Sequence, residues 1–270
     1  MDWNKTKTIF IIVFLIVNVF LYWLYLTKLT DAQNVQVIGK TPIEESLKMD
    51  NITYDNLPPY KNDPFYVSAK PVIFANEQLE KLENQTVKLL HESLLQSTLV
   101  DPFSVMHEKG KYDFTEFLSK YVMNGERYEL WEVNEEEQRA LLFQKVDNNP
   151  IYYSRTAMLR VYWNEDGEVT NYEQSMLGEF DSFNQKNDLL SPIEAIENLY
   201  SRGYLKQGYK IKDMTLGYSS LVQVTETQVF APTWHIRVEL KDEVMEDYFI
   251  NAIEGMIIEF QSEPFEEDNE

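Results

Sequence analysis

The sequence predicts an α+β protein, with one N-terminal transmembrane helix followed by two related helix-plus-antiparallel-sheet modules. Three observations carry this. Residues 9–26, IFIIVFLIVNVFLYWLYL, contain no charge. From residue 127 onward apolar residues recur at every second position, the period of a strand. Helix followed by antiparallel sheet occurs twice, at 113–178 and at 191–260, which reads as a repeated unit. The expected organisation is a cytoplasmic tip and anchor at 1–30 and a connector at 31–64. A first module at 65–180, a second at 191–262 and an acidic, disordered tail at 263–270 follow.

The eighteen residues of the span cover about 27 Å at 1.5 Å per residue, close to the roughly 30 Å hydrocarbon core of a bilayer. Fourteen of them are Leu, Ile, Phe or Val, together worth about −4 to −8 kcal/mol for insertion. Asn18 costs less than that, so insertion wins. A signal peptide has a shorter apolar stretch and a small-residue cleavage site, and only Thr30-Asp31-Ala32 faintly resembles one. Lys5 and Lys7 crowd the short flank and favour the N-terminus inside, with Trp3 at the inner interface and Tyr22, Trp23 and Tyr25 at the outer. The expected location is the cell membrane, single-pass, with the bulk of the chain extracytoplasmic.

In the connector, Thr41-Pro42-Ile43-Glu44 is a capping box opening a short helix that ends near Asn51. Residues 65–74 form a strand, and Pro71 places it toward an edge. Residues 76–99 fit two patterns: Leu79, Leu82, Thr86, Leu89 and Leu90 have helical spacing, while TVKLL and LLQSTL fit a hairpin; the reading is helix first, strand later. Phe114, Phe117, Leu118, Tyr121 and Val122 share one helical face, and Gly125 supplies the stop. YELWEV, RALLFQKV, a long stretch from Ile151 to Trp163 and EVTNYE are strands, with Ala157, Leu159, Val161 and Trp163 inward and Asn164-Glu165-Asp166-Gly167 as a hairpin turn. After a polar linker at 180–190, Ser191-Pro192-Ile193-Glu194 caps a helix whose Ile193, Ile196, Leu199 and Tyr200 face one way and which stops at Gly203. In the strand that follows, Trp234, Ile236, Val238 and Leu240 face inward and Thr233, His235, Arg237 and Glu239 face solvent.

The chemistry-bearing residues are sparse. With 24 Lys+Arg against 45 Asp+Glu, a net charge of −21 and no Cys, the chain has no disulfide, thiolate metal site or cysteine nucleophile. Its average field repels phosphate backbones, so nucleic acid is not an expected partner. No phosphate loop, dinucleotide fingerprint or nucleophile elbow occurs. His91-Glu92 begins like a zinc-protease helix, but Leu95 stands where the second imidazole belongs. His107 in a turn and His235 on an outward strand face read as surface histidines, and no cofactor or metal is expected. Inside the span, Asn18 is the only amide, and such groups commonly hydrogen-bond to another helix. Phe14, Leu15, Tyr22 and Tyr25 share its face and form with it the expected partner-contact surface in the bilayer.

The segments MDWNKTKTIFIIVFLIVNVFLYW, SPIEAIENLYSRG, IKDMTLGYSS, FAPTWHIRVEL and YFINAIEGMI resemble the YycI (WalI) family of low-GC Gram-positive bacteria, and the closing strand pair resembles PepSY-type modules. The resemblance implies a single-pass membrane protein that is not an enzyme. It also implies partnership with a YycH-like protein and with the sensor histidine kinase YycG (WalK) of an essential two-component system controlling cell-wall metabolism, through transmembrane contacts. The alternative is an outer-face module binding cell-wall glycan or peptide, or a hydrolase.

Overall fold

The structure is a computed structural model describing residues 7, 10–22, 42–59, 65–107, 111–184, 188–223 and 227–260. It divides into two compact units, Met1–Ser46 and Leu47–Glu270. In the first, residues 10–22 form a helix (α1) whose large apolar side chains are all exposed, from 45% at Val17 to 73% at Phe10. No described helix is long and apolar enough to cross a membrane. Residues 9 and 23–26 of the expected span, Thr41 of the first capping box and the 263–270 tail lie outside the described residues. A second helix, α2 (Ile43–Met49), starts just after Pro42 and carries Glu44 and Glu45 in its first turn and Lys48 in its last, each favourable to the helix dipole.

The larger unit is α+β and is dominated by one long sheet. Its first part runs β1 (Thr53–Tyr54), β2 (Phe65–Pro71), the single turn α3 (Asn76–Leu79), β3 (Gln85–His91), β4 (Leu94–Ser104) and the small hairpin β5 (Met106–His107) and β6 (Lys111–Tyr112). Next come α4 (Thr115–Tyr121), β7 (Tyr128–Asn134), β8 (Arg139–Val146), β9 (Asn149–Tyr152), β10 (Met158–Trp163), β11 (Glu168–Ser175) and β12 (Leu177–Asn184). The last part is α5 (Pro192–Ser201), β13 (Lys210–Gln223), β14 (Gln228–Glu239), β15 (Met245–Asn251) and β16 (Ile257–Ile258). The sheet order is β12-β2-β14-β13-β9-β8-β10-β11-β4-β3, with β7 added to β8, β1 to β13, β15 to β14 and β16 to β15.

One hairpin joins the two halves of this sheet. Asp147 and Asn148 both adopt positive φ, 48° and 66°, the two-residue turn whose twist suits paired strands. It folds β9 back on β8, and β9 then runs parallel to β13 through Tyr218↔Ile151 and Ser219↔Tyr152. The sequence reading placed one continuous strand from Ile151 to Trp163. The strand is instead broken between β9 and β10 at Tyr153, whose φ is +48°.

Three further expectations are corrected. Residues 76–99 run helix first and strand later, as read, but the helix is a single turn and the rest is the β3–β4 hairpin; Val87 and Leu89 pack on the core while Thr86 and Lys88 face out. β2 is not an edge strand, because it lies between β12 and β14, but β14 reaches only to Ala69, so Pro71 faces no third strand and its missing N–H costs nothing. His107 lies in strand β5 rather than in a turn.

Helix α4 packs Phe117 and Tyr121 against Leu142, Leu159, Val161 and Tyr172, as its spacing predicts. Gly125 follows it because a Cβ there would sit 2.0 Å from the Leu118 carbonyl oxygen. At α5 the capping box is complete: Glu194 N–H donates to Ser191 Oγ at 3.4 Å, and Ser191 N–H donates to Glu194 Oε2 at 2.7 Å. Trp234 is 1% exposed and its Nε1–H donates to the Leu190 carbonyl at 2.8 Å, tying β14 to the segment that enters α5. Trp234→Ala is therefore expected to lower unfolding free energy by about 3–5 kcal/mol in urea denaturation, through the lost volume and the orphaned carbonyl.

Candidate functional site

The outer face of β14 was expected to be wet. It is covered at Thr233 and His235, which are 0% and 3% exposed, while Arg237 keeps 38% of its side chain in solvent. Pairing on both sides of β14 lines up three cross-strand rows: Asp213, Arg237 and Asp247; then Thr215, His235 and Phe249; then Gly217, Thr233 and Asn251. Residues in such a row share one face of the sheet. On that face sit Trp131 of β7, Phe143 of β8 and Tyr152 of β9, more than eighty residues earlier in the chain.

Local irregularities position this cover. β7 pairs through Leu130↔Leu142 and then Glu132↔Leu141, so Trp131 is the extra residue of a bulge, the device that re-aims a side chain. Its ring meets His235 edge-on at 4.8 Å, its Nε1–H donates to Tyr153 Oη at 3.0 Å, and the Arg237 guanidinium lies 5.4 Å from its centroid. Tyr152 lies over Gly217, where a Cβ would come within 2.4 Å of its ring. Only glycine admits the ring there.

Beneath the aromatic cover the charges are paired. Asp247 accepts from His235 Nε2 at 2.7 Å and from Arg237 through a two-pronged fork, Nε at 2.8 Å and Nη2 at 3.3 Å. Burial pushes the Asp247 carboxyl up, but the hydrogen bonds and charge of His235 and Arg237 more than offset it and hold it at about 2. An ionised carboxylate only accepts, so His235 Nε2 carries the proton. The Arg237 pKa is raised, foremost by its bond to Asp247.

Two cavities flank this cluster. One, of about 380 Å3, is lined by Tyr153, Tyr204, Asp247, Tyr248, Phe249 and Phe260. The other, of about 210 Å3, lies between β7 and the β13–β14 pair, with Glu129, Trp131, Tyr152, Asp213, His235 and Arg237 around it. Among the described residues no hydroxyl hydrogen-bonds to His235, and no group of three His, Cys, Asp or Glu side chains is placed to hold a metal ion.

Of the residues singled out from sequence, Phe14, Leu15, Asn18 and Tyr22 lie on α1 and are exposed, and Tyr25 is outside the described residues. Asn18 Nδ2 donates to the Phe14 carbonyl at 2.8 Å, one turn back. His91 is exposed, as a surface histidine should be. Sequence reasoning missed Trp131, Tyr152 and Asp247. The available signal was the reach from Arg237 to Asp247, ten residues of hairpin that place an acid opposite a base.

Three comparisons with known proteins bear on the chain. The sequence profile of a family described as YycI protein matches residues 32–253. No curated relative matches. Among solved structures, an uncharacterized protein from Eubacterium rectale ATCC 33656 is similar at 10% identity and a TM-score of 0.43, over 78% of this chain and 89% of that one.

The Asp247 cluster has a defined acid signature. Its folded pKa lies below the ordinary carboxylate value, so its contribution is present above about pH 4 and fades as pH falls toward about 2. In urea unfolding, Asp247→Asn is expected to be clearly destabilising at pH 6, with the gap from wild type narrowing as pH drops from 4 to 2; a gap independent of pH would contradict the pairing.

Proposed function

The chain belongs to the YycI family, and on that premise we propose that it is a single-pass membrane protein that regulates the sensor histidine kinase YycG (WalK). The family match over 32–253 is the observation that carries the reading. The chain acts with a YycH-like partner and performs no reaction of its own. Its N-terminus lies in the cytoplasm and its bulk outside, as an anchor at 1–30, a connector at 31–64, modules at 65–180 and 191–262, and the acidic tail at 263–270.

Support for the anchor comes from the chemistry of the segment. A charge-free helix exposing every large apolar side chain from Phe10 to Tyr22 is unfavourable in water and favourable in lipid. Support for two related modules comes from the order of elements, since α4 precedes β7, β8, β10 and β11, and α5 precedes β13, β14 and β15. In a bilayer there is little hydrophobic drive between helices, so recognition falls to packing and polar groups. The Asn18 bond to Phe14 uses one of its N–H groups, and its second N–H and its oxygen are not part of that bond.

The test is Asn18→Leu in intact membranes. Insertion and expression are expected to hold, because the span becomes more apolar. Co-purification with the kinase or the YycH-like partner should weaken about threefold to thirtyfold, the equivalent of about 0.6–2 kcal/mol. Unchanged co-purification and unchanged kinase output would move recognition off this helix face.

A further inference from the structure

The 210 Å3 slot between β7 and β13–β14 has features that the seam does not need for packing. Its wall includes Tyr152, which is 1% exposed and whose hydroxyl has no hydrogen-bond partner. A buried hydroxyl left unpaired costs roughly 1–3 kcal/mol. Nothing about the ring requires a hydroxyl there, since Phe would sit on Gly217 equally well. The mouth carries Glu129 and Asp213, both exposed. Both of these carboxylates act on the Tyr152 hydroxyl and, after burial, help to hold it protonated.

The balance of charge decides the kind of ligand. Arg237 is engaged by Asp247, and Lys145 reaches Glu129 only at 4.0 Å. Asp213 accepts from Thr215 Oγ1 at 3.1 Å, a neutral donor. His235 and Arg237, which line the wall, both donate to Asp247, so the charges left open at the mouth are those of Glu129 and Asp213, in a chain whose net charge is −21. An anion is therefore repelled, and a cation that donates hydrogen bonds finds acceptors at the mouth and at the Tyr152 oxygen. The volume is below the roughly 300 Å3 at which pockets for drug-sized molecules begin, so the occupant is about the size of one side chain. The apolar walls of Trp131 and Phe143 suit a methylene stem beneath the charge.

We propose that this slot binds a primary ammonium group carried on a short aliphatic chain, with Glu129 and Asp213 taking the charge and Tyr152 Oη accepting a hydrogen bond. A lysine side chain and a free small amine share this chemistry. The inference stands apart from the membrane reading, because it uses only residues of the Leu47–Glu270 unit.

The probes are n-butylammonium and acetyl-Gly-Lys-Gly-amide, added to the full chain in detergent micelles and followed by ligand-observed NMR, with butyrate and n-butanol as controls. Saturable binding of n-butylammonium, absent for both controls, is expected. Glu129→Gln and Asp213→Asn should each weaken it about tenfold, and Tyr152→Phe about threefold to tenfold, as for one hydrogen bond. Without ligand, Tyr152→Phe should unfold above the wild-type temperature, because the unpaired hydroxyl is gone, so its binding loss is not a folding loss. Binding of both probes assigns the slot to lysine side chains, and of butylammonium alone to free amines. Absent saturation, equal binding of butyrate, or equal affinity in all three variants would overturn the proposal.

Discussion

Asp247 is the group on which the larger unit turns. A carboxylate, an imidazole and a guanidinium are costly to draw even partly out of water. His235 is buried while Asp247 and Arg237 keep 29% and 38% of their side chains exposed, and beneath an aromatic cover each needs a partner of good geometry. The fork from Arg237 and the bond from His235 provide that, at 2.7 to 3.3 Å. The low local dielectric that makes the pairing effective also makes a missing partner expensive. The aromatic cover and the charge cluster thus depend on one another.

This constraint explains why β14 is buried on both faces. One face carries Trp234, Ile236 and Val238 in the ordinary apolar way. The other is polar by composition, yet Thr233 is 0% exposed and hydrogen-bonds to Ser219, as His235 does to Asp247. Every polar group on that face finds its partner across the ladder, so the β7–β9 segment can close over it. The β8–β9 turn brings that segment there, and the Trp131 bulge aims the indole at the cluster.

Much of this was legible in the sequence and some was not, for reasons that separate cleanly. The strands at 128–134, 139–146 and 168–175 follow from local alternation, and α5 from Ser191 and Glu194, because each signal lies within a few residues. The two-faced burial of β14 was not legible. Alternation of Trp, His, Ile and Arg reads as half-buried unless the partners are known, and Trp131 lies about a hundred residues upstream. The β3 segment was legible only as an alternative, since leucines at 79, 82, 89 and 90 satisfy the helical period while Thr86 and Val87 prefer the pleat.

The central claim, that the aromatic cover and the paired charges beneath it form one energetic unit, is tested most directly by a double-mutant cycle on Trp131→Leu and Asp247→Asn in urea unfolding. The account predicts that the double mutant departs from additivity by about 0.5–3 kcal/mol, the range for residues sharing one network. Additivity within about 0.3 kcal/mol would mean that Trp131 merely lies over the cluster and does not depend on it.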